Sequence, residues 1–133
     1  MKKDIIIPVV EGIKVAVIKT DEALNQWDVF LINRLKTDID TIFVTSRGYG
    51  VDVNGNEIKT AQLRYSIKAI PAGGMAKIEP ISPDIFHINN EYWVSYYIGL
   101  ALYDKKFVFV PESIREENLI TIMPTNLKGI LHE

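Results

Sequence analysis

Gln62-Leu63-Arg64-Tyr65-Ser66-Ile67-Lys68-Ala69 alternates polar and apolar side chains residue by residue. Leu63, Tyr65, Ile67 and Ala69 fall on one side of an extended chain, and Gln62, Arg64, Ser66 and Lys68 on the other. A helix would instead need apolar residues three and four apart. The stretch therefore reads as a strand with one covered face and one wet face. The same two-residue rhythm recurs, with interruptions, from Ile5 to Val110, and turn residues separate the runs. The pattern predicts an all-β chain.

Working outward, Ile5–Val10 reads as a first extended run, with Pro8 marking an edge or a break. Ile13, Val15 and Val17 form the second. In the third, Trp27, Val29 and Leu31 face one way and Phe30 and Ile32 the other, as in a strand covered on both sides, with Trp27 a candidate core residue. Ile42-Phe43-Val44 is the fourth. Asn54-Gly55 is a strong two-residue hairpin signal, because a type I′ turn needs positive φ at both central residues; it would pair Val53 with Asn56 and Val51 with Ile58. A second hairpin is expected through Asp104-Lys105, placing Leu102 opposite Phe107 and Leu100 opposite Phe109. Pro71-Ala72-Gly73-Gly74 reads as a turn. Ser82-Pro83-Asp84 has a helix-start pattern, and Ser113 with Glu116 suits a capping box opening a short helix to about Asn118.

Seven to nine short strands with frequent turns predict an antiparallel β-sandwich of immunoglobulin or fibronectin type. Residues 1–111 would hold the sandwich. Residues 112–133 would supply a helical turn and an apolar tail that packs on the sandwich or on a partner, within one domain overall.

The chain of 133 residues is long enough to bury a core without staples. It contains no cysteine, which excludes thiol catalysis and thiolate metal sites and favours a cytoplasmic setting. The N-terminal apolar stretch holds about five or six residues before Glu11, short of the 7–15 of a secretory core. No stretch approaches the roughly twenty apolar residues of a membrane span. The formal net charge is −2, and the basic residues are scattered, without the footprint expected of a phosphate-backbone binder. No cofactor is expected.

Motifs with specific chemistry are few. Gly48-Tyr49-Gly50 starts like a dinucleotide fingerprint, but Val53 stands where the third glycine belongs, so a turn or bulge is the better reading. Asp84 and His87 have the i, i+3 spacing of two metal ligands, with no third ligand evident; His87 is also a conceivable general base. Glu112, Glu116 and Glu117 suit a helix start. The aromatic run Tyr92-Trp93-Val94-Ser95-Tyr96-Tyr97 is the richest candidate. Tyr92 and Tyr96 share the apolar face of Val94, Ile98 and Leu100. Trp93 and Tyr97 share the other face, about 13 Å apart, where they could stack on a sugar or base or anchor a protein contact, with Tyr49 a further contact candidate. Otherwise the apolar C-terminal segment covers them.

The succession Trp27-x-Val29-x-Leu31-Ile32-Asn33, Val44-Thr45-Ser46-x-Gly48-Tyr49-Gly50, Asn90 to Gly99, and Asp104-Lys105-Lys106-Phe107-x-Phe109-x-Pro111-Glu112-Ser113-Ile114 resembles a family of small, uncharacterised bacterial β-sandwich proteins. Some members carry the label phenylalanyl-tRNA synthetase alpha subunit. A class II synthetase core is far larger and carries Arg-bearing ATP motifs that this chain lacks, so the resemblance implies a fold and no activity.

The expected function is a non-catalytic protein-interaction or structural module that contacts another protein, a second copy of itself included. The alternative is a carbohydrate- or nucleic-acid-binding module using Trp93, Tyr97 and Tyr49. An enzyme built on His87 stands third.

Overall fold

A computed structural model describes residues 8–132. Its strands are β1 (Ile13–Asp21), β2 (Gln26–Asn33), β3 (Ile39–Val51), β4 (Glu57–Lys59), β5 (Leu63–Ile70), β6 (Met75–Ile81), β7 (Asn89–Ile98), β8 (Ala101–Phe109), β9 (Ile120–Thr121) and β10 (Lys128–His132). Single 3-10 turns lie at Pro83–Ile85 and Glu116–Asn118. The chain is all-β, as the alternation implies. Among the described residues there are ten strands; β4 and β9, at three and two residues, are too short to show a two-residue rhythm. No helix among these residues is long and apolar enough to cross a membrane.

The strands form two antiparallel sheets. The first runs β6-β2-β1-β10-β9; the second runs β4-β3-β7-β8, with β5 paired to β3 beside β4. One apolar core joins them: Val15, Val17, Val29 and Leu31 from the first sheet meet Ile42, Val44, Tyr92, Val94, Tyr96 and Phe107 from the second. Trp27 is buried here, with Phe86 edge-on at 5.2 Å. A smaller cluster, Ala16, Ile18, Ile32 and Ile122, covers the far face of the first sheet, which is why β2 carries apolar residues on both sides. The C-terminal segment supplies Ile122, and β10 pairs with β1 of the same chain, Val17 opposite Ile130.

Local chemistry explains several turns. Ser82 accepts a hydrogen bond from the Asp84 amide and opens the 3-10 turn, with Pro83 at its first position. Of the run expected at Ile5–Val10, Ile5–Ile7 lie outside the described residues, and Pro8–Val10 form no strand.

Four expectations are corrected. The Asn54-Gly55 hairpin closes one residue out of the expected register, with Val51 opposite Glu57 and Gly50 opposite Ile58. The loop is three residues long: Asp52 Oδ1 accepts from the Asn54 and Asn56 amides, and only Gly55 takes positive φ. The second hairpin turns at Gly99-Leu100, not at Asp104-Lys105, so Tyr97 faces Leu102, Trp93 faces Lys106 and Tyr92 faces Phe107. Gly99, at φ +59, supplies the first central position of a two-residue turn, and Leu100 is fully exposed. Asp104, Lys105 and Lys106 sit in the strand, because an edge strand tolerates charges that a central one would not. Gly48 and Gly50 lie inside β3 and make no turn; a side chain at either would press on Ile88. Ser113 forms no capping box: its hydroxyl donates to the Val110 carbonyl, and the 3-10 turn begins after Arg115 without a side-chain cap.

Candidate functional site

Two groups of polar and aromatic side chains stand out, one on the outer face of the second sheet and one between the sheets.

Strand alternation puts Arg47 and Tyr49 of β3, Glu91, Trp93 and Tyr97 of β7, and Leu102, Asp104 and Lys106 of β8 on the outer face of the second sheet. The face thus brings together all three aromatic contact candidates, Trp93, Tyr97 and Tyr49. Glu91 lies between Tyr49 and Trp93 and is buried there under longer neighbours. It accepts from Arg47 Nε at 2.9 Å and from the Tyr49 hydroxyl at 3.3 Å, with Lys106 Nζ at 3.9 Å. The Arg47 guanidinium also rides over the Tyr49 ring at 5.0 Å. Burial, then the Glu91 charge, pushes the Tyr49 phenol above its ordinary range.

Trp93 is held in place. Its Nε1 donates to Asp104 at 2.6 Å, and Lys106 Nζ lies 4.7 Å from the ring. It remains 46 % exposed, and Phe43 at 52 % and Leu102 at 49 % lie on the same face. Phe43 is opposite Ser95, diagonal to both Trp93 and Tyr97, and Leu102 is opposite Tyr97. The apolar tail does not cover this face; it joins the other sheet. Phe43 and Leu102 are not singled out by the sequence: Phe43 sits within the apolar run Ile42-Phe43-Val44, which shows no alternation, and a turn at Asp104-Lys105 pairs Leu102 with Phe107 on an apolar face.

Between the sheets, Glu79 of β6 reaches across to the second sheet. Its Oε1 accepts from Tyr65 at 2.5 Å and Ser46 at 3.0 Å, and its Oε2 accepts from Tyr92 at 2.8 Å. Burial, then hydrogen bonding to Glu79, pushes Tyr65 up to about 12, and Tyr92 is raised further, mainly by burial. The carboxylate borders a cavity of about 220 Å³. Glu79 escaped sequence reading because its inward turn depends on a bulge: Val29 pairs with Glu79 and Phe30 with Lys77, leaving Ile78 extra.

Asp84 and His87 are both exposed around the first 3-10 turn. His87 shares a shallow hollow with Tyr49, Glu57 and Asn89. Among the described residues, no group of three His, Cys, Asp or Glu side chains is placed to hold a metal. Glu116 is drawn into an ion pair with Lys19 at 2.7 Å.

No protein-family model matches the chain, and neither a curated protein nor a solved structure matches it.

Proposed function

We propose that this chain is an immunoglobulin- or fibronectin-like β-sandwich that binds another protein through the outer face of its second sheet. Strand order supports the fold: β1-β2-β6 against β5-β3-β7-β8 follows the A-B-E and C′-C-F-G order of such domains, with β10 and β9 added beside β1. One observation carries the function. Phe43, Trp93 and Leu102, each about half exposed, share one sheet face and are joined through Tyr97, with Phe43 diagonal to Trp93 and Tyr97 and Leu102 opposite Tyr97. Scattered apolar side chains are ordinary on a surface, but a continuous row of Trp93, Phe43, Tyr97 and Leu102 that contains a fixed Trp has the make-up of a contact hot spot. Lys106 Nζ lies over the indole, where a sugar or base would stack, and this favours a protein contact.

The test is site-specific photo-crosslinking in the native cell. A photo-reactive phenylalanine analogue replaces Leu102 in one variant and Val53, fully exposed in the β3–β4 loop, in another. A discrete protein adduct from position 102 alone is expected. Equal adducts at both positions, or none at 102, would overturn the proposal.

A further inference from the structure

The cavity beside Glu79 has an unequal balance of donors and acceptors. Most of its side-chain donors are committed to the protein itself; the Ser82 hydroxyl accepts from the Asp84 amide and keeps its proton to donate. Ser46 and Tyr92 donate to Glu79, Thr60 to the Ala61 carbonyl, and Asn90 to the carbonyls of Ile85 and Ile88. Arg47 gives its guanidinium to Glu91 on the opposite face of β3. Acceptors remain. A carboxylate offers about four acceptor positions, and Glu79 uses three, the unused one on Oε2. Among the described residues, no Lys or Arg nitrogen lies within ion-pair distance of Glu79. Leu63, Ile81 and Ile85 provide apolar walls.

A half-buried negative charge with a spare acceptor, apolar walls and few spare donors is complementary to a cation that donates hydrogen bonds and carries an alkyl stem. We infer that this cavity binds an alkylammonium group, its head on Glu79 Oε2 and its stem along Leu63, Ile81 and Ile85. The volume equals roughly seven waters at about 30 Å³ each, which suits a short amine or the end of a lysine side chain and excludes a nucleotide. Glu79 lies between the sheets, so the site is independent of the outer face proposed for protein contact.

The experiment is an amide NMR titration of the isotope-labelled protein with n-butylammonium, n-butanol and acetyl-lysine methylamide. Saturable shifts centred on Ser46, Gly48 and Glu79 are expected with n-butylammonium. Binding should weaken about tenfold or more with the uncharged alcohol, the worth of one hydrogen bond to a charged group. Comparable binding of the lysine derivative identifies a polypeptide lysine as occupant, and binding of the free amine alone identifies a small amine. Glu79→Gln should abolish binding. Ala61→Leu, at the exposed rim, should block it with Glu79 intact, and decides the matter if Glu79→Gln does not fold. No saturable shift with either ammonium, equal binding of n-butanol, or binding that survives Ala61→Leu would overturn the inference.

Discussion

Tyr65 donates the shortest of the three hydrogen bonds that Glu79 receives, and this ties its ionisation to folding. Burial and Glu79 both disfavour the phenolate, moving Tyr65 to about 12 from an ordinary value of 10.0. A raised phenol stabilises the fold fully below the unfolded value, and that contribution is lost as pH rises through the folded one. Tyr65→Phe should therefore cost about 1.5 kcal/mol near neutral pH, the low end for a hydrogen bond to a charged group at a half-buried position. The cost should shrink as pH rises from about 10 to about 12. Urea unfolding of both proteins across that range checks this; a cost independent of pH would show that Glu79 does not hold the phenol. In the sequence Tyr65 is legible as an inward residue of an alternating strand. Its partner is not, since a Glu beside Pro80 in a half-polar strand has no pattern that aims it inward.

At the scale of strands, irregularities decide what faces what. In β3, Asp40 pairs with Tyr97 and Phe43 with Ser95, so two residues, Thr41 and Ile42, face one. Thr41 takes φ +49, a strained setting for a β-branched residue, and the shift lets both Ile39 and Ile42 reach the core. In β10, Gly129 sits so close to β1 that an added Cβ would meet the Val17 carbonyl oxygen at 2.5 Å and Ile18 Cα at 3.0 Å. These are backbone atoms and cannot swing away. Gly129→Ala should push the two strands apart and cost about 1–3 kcal/mol, the usual range for forced overpacking. Equilibrium unfolding in urea measures it, and unchanged stability would mean that β10 does not approach β1 so closely. The last strands were hard to read for a related reason. Lys128-Gly129-Ile130-Leu131-His132 lacks a two-residue rhythm because both faces of β10 contribute to packing, Ile130 toward the main core and Leu131 toward the smaller cluster.

For the molecule as a whole, the C-terminal strands complete the first sheet. Ile122 and Ile130 are buried, and removing them forfeits roughly 3–6 kcal/mol at about 1.5–3 per fully buried side chain, before the entropy of ordering is subtracted. Domain stabilities are commonly about 5–15 kcal/mol, and the cut also bares the β1 edge. Deleting residues 119–133 should lower the melting temperature markedly or cause aggregation. Calorimetry with light scattering checks this; a soluble truncation that melts like the intact protein would show that β9 and β10 contribute nothing to the fold. The all-β class, the inward set Tyr92, Val94 and Tyr96, and the outward pair Trp93 and Tyr97 were determined by the sequence alone, because side-chain alternation is a property of an extended chain whatever its neighbours. The hairpin registers, the inward turn of Glu79, the burial of Glu91 under Arg47 and Tyr49, and the exposure of Phe43 and Leu102 were decided only by the tertiary structure. Each depends on which strands lie side by side and where a bulge adds a residue, and those choices are made by packing between segments far apart in the chain.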